Sequence, residues 1–158
     1  MPMTQAQKVL SLAGVKYQTH VFEHDPSNRQ FGSEAAKKLG ESSERIFKTL
    51  IIVVDERPMG AVIPVSGQLD LKAMARLLDA EEVRLAGIAE AERRTGYQMG
   101  GISPFGQKEE LPMVVDATVN KHRTVFVSGG KHGLELEMSP RDLLRVTGAS
   151  VAEIVVLD

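Results

Sequence analysis

Lys48 is the first residue whose type and place suggest chemistry. The stretch Phe47-Lys48-Thr49-Leu50-Ile51-Ile52-Val53-Val54 reads as a strand. Period-two alternation puts Phe47, Thr49, Ile51 and Val53 on one face and Lys48, Leu50, Ile52 and Val54 on the other, so an ammonium shares a face with aliphatic side chains. Such a lysine can be desolvated into a base, or stay charged and hold a phosphate or carbonyl. It can equally be a strand-end lysine that snorkels to water. Periodicity leaves these readings open.

The second candidate is the loop Gly100-Gly101-Ile102-Ser103-Pro104-Phe105-Gly106. Glycines allow close approach to the backbone, and a proline sets a turn, the means by which amide N–H groups are aimed at a carbonyl oxygen or phosphate. One oxyanion donor of this kind is worth about 3 kcal/mol. A plain turn between helix and strand is the alternative. Ser103 does not make a nucleophile elbow, which needs glycine two places on, where Phe105 stands. Ser128-Gly129-Gly130-Lys131-His132-Gly133 is a hairpin turn or a second loop of backbone donors. It is not a Walker loop, for no helix pattern follows it. His20 and His24 are four apart, but along a strand that spacing separates them by roughly 13 Å, too far to share a metal. With no cysteine in the chain, a thiol nucleophile and thiolate-held zinc or iron–sulfur clusters are excluded. The expectation is chemistry without a metal or cofactor.

These groups must be positioned by short alternating elements. Thr4 and Gln7 make a capping box before a helix that ends at Gly14, and Val15–Val21 alternates as a strand. Ser33 is expected to cap a helix through Leu39. Strands follow at 47–54 and 61–65, joined by a turn at 55–58, and Asp70 caps the next helix. A helix at 89–95 precedes the glycine loop, strands are expected at 113–115, 124–128 and 134–138, and Ser139-Pro140 opens a helix closed by Gly148. One last strand is expected over 151–156. Strands outnumber helices and several connections are too short for helical crossovers. The expectation is therefore an α+β fold on a mixed, curved β-sheet, a single domain over 1–158. The chain is 158 residues long, has 25% charged residues and carries a formal net charge of −2, so no global basic field marks a nucleic-acid binder. The N-terminal residues lack signal-peptide character, and no apolar run reaches the roughly 20 residues of a membrane span. A cytoplasmic location without membrane contact is expected.

In order along the chain, His24-Asp25-Pro26, Phe31-Gly32, Glu34-Ala35-Ala36, Phe47-Lys48-Thr49-Leu50, Thr95-Gly96-Tyr97, Gly100 to Lys108 and Val127 to Lys131 resemble the YbaK-type Cys-tRNA(Pro) deacylases. These belong to the superfamily of prolyl-tRNA-synthetase-associated editing domains, and the resemblance runs from about residue 4 to Val155. It implies a mixed, barrel-like β-sheet with short helices packed around it, and one pocket holding the strand lysine and the Gly-x-x-Pro loop. By position, Lys48 matches the family's essential lysine and Gly101 opens its Gly-x-x-Pro signature, with Gly100, Ile102, Ser103 and Pro104 around it. Phe22, Phe31, Thr49, Ser128 and Gly129 fall where substrate-binding residues are expected, Phe22 standing where relatives can carry tyrosine. The implied activity is removal of cysteine from mischarged tRNA by attack of the substrate's own thiol on its ester. The implied partners are the 3′ acceptor end of an aminoacyl-tRNA and, transiently, prolyl-tRNA synthetase. A deacylase for alanine or another small residue, and a non-catalytic binder of aminoacyl-adenosine or nucleotide, are the competing readings.

Overall fold

The computed structural model describes residues 2–157. Among them, five α-helices and ten short strands alternate in an α+β arrangement. The helices are α1 (Gln5–Leu12), α2 (Phe31–Leu39), α3 (Leu71–Leu78), α4 (Ile88–Thr95) and α5 (Pro140–Thr147). The strands are β1 (Gln18–Val21), β2 (Phe47–Val54), β3 (Arg57–Pro64), β4 (Gly67–Leu69), β5 (Val83–Leu85), β6 (Met113–Asp116), β7 (Val125–Ser128), β8 (Leu134–Met138), β9 (Ser150–Ala152) and β10 (Val155–Leu157).

The main sheet has the order β5-β2-β3-β6-β9 and is mixed: β5, β2 and β3 pair antiparallel, whereas β3, β6 and β9 run parallel. A three-stranded antiparallel sheet β1-β8-β7 and the pair β10-β4 complete it. The barrel does not close. The sheets are stitched by one parallel bridge, Ile46 to Phe126, with the Phe126 N–H donating to the Arg45 carbonyl at 3.0 Å.

Both faces of β2 and β3 are covered, which is why they read as near-continuous apolar runs. On one side Phe47 and Val62 join Leu10 of α1, Phe105, Val127, Leu136 and Leu143 of α5 in the largest core cluster. On the other, Ile52, Ala61 and Ile63 pack with Met74 of α3 and with Ile154.

Most local signals hold. The Thr4–Gln7 capping box is present, Asp70 accepts from the Ala73 N–H at 3.0 Å, and Ser139 caps α5 ahead of Pro140. Others are corrected. Only Gln18–Val21 of the expected first strand pairs with a neighbour, since Val15 and Tyr17 are used to pack beside α1. Helix α2 starts at Phe31 with Gln30 as N-cap, placing Ser33 inside the first turn. The 55–58 turn is a tighter hairpin, with Asp55 and Glu56 both at positive φ (44° and 72°) and β3 starting at Arg57. The expected last strand is two, because Ile154 turns into the core and sends the flanking residues to different sheets, β9 to β6 and β10 to β4.

Candidate functional site

The site lies where the sheets part. Beyond the Ile46–Phe126 bridge, β7 diverges from β2, and β2 meets no strand on that side until Ile52 pairs with Leu85. A cavity of about 330 Å³ opens beside the unpaired edge. Its walls come from Lys48, Thr49 and Leu50 of β2, the first turn of α2 from Phe31, the loop residues Met99, Gly100 and Ile102, Ser128 at the end of β7, and Glu135 of β8. Exposure orders the lining. Arg29, Gln30 and Lys48 are exposed at the mouth, whereas Ile46, Phe47, Thr49, Ile102 and Glu135 are buried at the floor.

The cavity thus gathers Phe31, Lys48, Thr49, Gly100, Ile102 and Ser128 from distant parts of the chain. Lys48 forms no ion pair with any described residue, and its exposure makes it a solvated cation at the mouth. The Thr49 hydroxyl is buried without a hydrogen-bond partner. Ser128 Oγ accepts the Gly130 N–H at 3.1 Å, bracing the turn below it.

Five expected residues do not line this cavity. Phe22 packs with Ala35, Ile46 and Phe126 and borders a separate shallow pocket beside His24, Asp25 and Lys38. Ser103 is fully buried, its Oγ accepting the Phe105 N–H at 3.3 Å. Pro104 lines a groove on another side, near Gln5 and Val9. Gly129 is packed where a β-carbon would stand 2.6 Å from Leu134 Cγ. Gly101 is buried, and its N–H donates to the Gln98 carbonyl at 2.8 Å. Among the described residues, the N–H groups of Gly100 and Ile102 have no acceptor, and both residues line the cavity. Two free amides of this loop therefore flank Gly101.

The loop is held from three sides. Tyr97 Oη donates to the Phe105 carbonyl at 2.5 Å, closing the loop on itself. His132 Nε2 contacts the Met99 carbonyl at 2.7 Å, an N–H donating to it, while its ring stacks on Phe31 at 4.9 Å and 16°. Gly100, at φ 88°, lies flat against the Phe31 ring, and a β-carbon there would fall 2.4 Å from it. The entry to α2 is anchored by Glu34, a buried carboxylate that bonds His24 Nδ1 at 2.6 Å, the Asp25 N–H at 2.8 Å and Lys38 Nζ at 2.9 Å. Burial works against ionisation, but these partners hold Glu34 down to about 2. His20 instead bonds Glu137 at 2.9 Å, so the two histidines serve different carboxylates.

A family model described as an aminoacyl-tRNA editing domain matches residues 26–146, a span that contains the whole lining of the cavity. The chain belongs to the aminoacyl-tRNA editing domain family. Over 96% of its length this editing domain is 33% identical to an Enterococcus faecalis protein named "Putative Cys-tRNA(Pro)/Cys-tRNA(Cys) deacylase EbsC", covering 92% of that protein. It is 32% identical to a proline–tRNA ligase of Pediococcus pentosaceus over 66% of the chain, a stretch that makes up 19% of the ligase. Among solved structures it resembles "hypothetical protein APE2540", with TM-score 0.87 and 30% identity over 97% of this chain and 100% of that one. It also resembles a structure titled "putative trans-editing enzyme for prolyl tRNA synthetase", with TM-score 0.83 and 26% identity over 96% and 95% of the two chains. The YbaK-type resemblance and the α+β editing fold are thereby established. No helix among the described residues is long and apolar enough to cross a membrane.

The editing domain's cavity also contains a group that sequence reasoning missed. Glu135 is buried at the floor, 8% exposed, and makes no hydrogen bond or ion pair with any described residue. Burial alone pushes its carboxyl up to about 8. In the sequence it is the first polar residue of Leu134-Glu135-Leu136-Glu137-Met138, an alternation that signals a solvent face. No local feature separates Glu135 from Glu137.

Proposed function

We propose that this editing domain removes cysteine from Cys-tRNA(Pro), and from Cys-tRNA(Cys) where it meets it, by cleavage assisted by the substrate thiol. One observation carries the reading: the cavity joins an exposed lysine, free loop amides and a buried floor, yet no histidine or cysteine lines it. At about 330 Å³ it is at the small end of ligand pockets, suited to the tip of a tRNA and not its body. Cysteine is close to proline in size, so a synthetase pocket shaped for proline rejects it weakly, and a second site must correct the error.

In this mechanism the cysteinyl thiol loses its proton and attacks its own ester carbonyl. A carbon–sulfur bond forms, the bond to the terminal ribose oxygen breaks, and that oxygen takes up a proton. The products are a thiolactone and free tRNA. The free N–H groups of Gly100 and Ile102 polarise the carbonyl, the role expected of the glycine loop's amides, whereas the amide of Gly101 itself is occupied. Lys48 anchors the terminal phosphate or ribose at the mouth, with Phe31, Thr49 and Ser128 shaping the walls.

Water-mediated hydrolysis is the second reading, favoured by Glu135, a carboxyl within the cavity that activates water once ionised, so that this route strengthens as pH rises toward about 8. The deciding assay compares tRNA(Pro) charged with cysteine, serine or alanine. Thiol assistance predicts that cysteine is released far faster than serine, because a thiolate forms more readily and is the better nucleophile. Comparable cysteine and serine rates support water instead, and faster release of alanine overturns the cysteine assignment.

A further inference from the structure

A buried carboxyl at a cavity floor that no neighbouring side chain bonds is suited to a ligand group that can pair with it. The surrounding geometry narrows which group that is. Glu135 stands opposite His20 across the β1–β8 pair and opposite Ser128 across the β7–β8 pair, and both neighbours share its face. His20 nevertheless turns its Nε2 to Glu137, and the Ser128 hydroxyl accepts the Gly130 N–H and makes no hydrogen bond to Glu135. Lys48 and Arg29, the basic side chains of the lining, are exposed at the mouth, and neither pairs with Glu135. The other polar group at the floor, Thr49, is also unpartnered.

We infer that Glu135 is a specificity-determining residue that receives the α-amine of the aminoacyl group. This rests on the deacylase reading above and deepens it. The ligand is oriented by the polarity of the cavity: the cations at the mouth take the phosphate-bearing end, and the acid at the floor takes the amine. Because burial keeps Glu135 protonated near neutral pH, the acid and an uncharged amine can enter contact as two neutral groups. The carboxyl proton then passes to the amine nitrogen, giving a carboxylate and an ammonium. No isolated charge has to be buried.

The test uses two esters of tRNA(Pro), cysteinyl and 3-mercaptopropionyl, which share the thiol and the ester and differ only in the amine. Each is assayed with the wild type and with Glu135→Gln. The amine also alters the intrinsic reactivity of the thiol, so the quantity read is the preference for cysteinyl over des-amino ester in the wild type divided by that in the variant. A tenfold or greater fall in preference in Glu135→Gln, carried by the cysteinyl ester, is expected. An unchanged preference in a folded variant overturns the inference. If Glu135→Gln does not fold, Glu135→Asp is read in its place, and a preference equal to that of the wild type, despite a carboxyl withdrawn by one methylene, overturns it equally. Failure of the wild type to cleave cysteinyl-tRNA under any condition would instead remove the deacylase reading itself.

Discussion

The α-carbon of Gly101 rests on the backbone of Lys131: a β-carbon there would stand 3.0 Å from Lys131 Cα and 3.1 Å from its carbonyl carbon. The glycine loop and the Ser128–Gly133 turn are thus in backbone contact, and the two loops form one wall. Because the obstacle is backbone, a methyl group can be accommodated only by moving the turn. Gly101→Ala is expected to cost about 1–3 kcal/mol by overpacking. It should also lower kcat/KM by on the order of 100-fold through displacement of the flanking amides. Thermal melts and single-turnover deacylation check both, and normal activity would show that the loop needs no such contact.

Lys48 separates activity from stability. It is exposed and has no ion-pair partner among the described residues. Lys48→Ala should therefore change stability by no more than about 0.5 kcal/mol. Deacylation is expected to fall at least about 100-fold as the substrate end loses its anchor. A folded Lys48→Ala variant with unchanged kcat/KM would remove this lysine from the mechanism.

Glu34 supplies an acid-sensitive tie. Its carboxyl is held down to about 2, so folding is stabilised above the ordinary carboxylate range and that contribution is lost as pH falls from about 4.5 toward 2. Glu34→Gln is expected to cost about 2–4 kcal/mol at pH 7, by leaving His24 and Lys38 without their carboxylate. Urea denaturation at pH 7 and at pH 2.5 should show the gap between variant and wild type closing in acid.

The net charge of −2 bears on tRNA selection. A protein gripping the tRNA body neutralises several phosphates with a basic face, whereas the exposed basic residues at this cavity mouth are Arg29 and Lys48. The isolated editing domain is expected to discharge Cys-tRNA(Pro) and Cys-tRNA(Cys) at similar rates. Adding prolyl-tRNA synthetase should favour Cys-tRNA(Pro) by presenting its 3′ end at high effective concentration. Strong discrimination by the domain alone, unaltered by synthetase, would refute that partnership.

Features that depend on a few neighbouring residues were legible in the sequence. The Thr4–Gln7 capping box, the Asp70 and Ser139 caps and the apolar run of β2 need only local geometry, and each appears where its signal lies. The motif resemblance likewise picked out Phe31, Lys48, Thr49, Gly100, Ile102 and Ser128, all of which meet at the cavity. What remained hidden depends on which of several possible partners each group meets in the folded chain. Ser33 carries cap chemistry, but the Glu34 tie to His24 and Asp25 draws the helix start back to Phe31. The glycine loop reads as a run of backbone donors, but the Gln98 carbonyl takes the N–H of Gly101. Glu135 and Glu137 are equivalent in an alternating strand, yet Glu137 finds Arg45, Thr124 and His20. Glu135 finds no partner, because the parting of the sheets beyond Ile46 and Phe126 leaves a cavity against it. Alternation dictates which side chains share a face, but only the packing of other strands and loops over that face decides whether it meets solvent, a partner or a ligand.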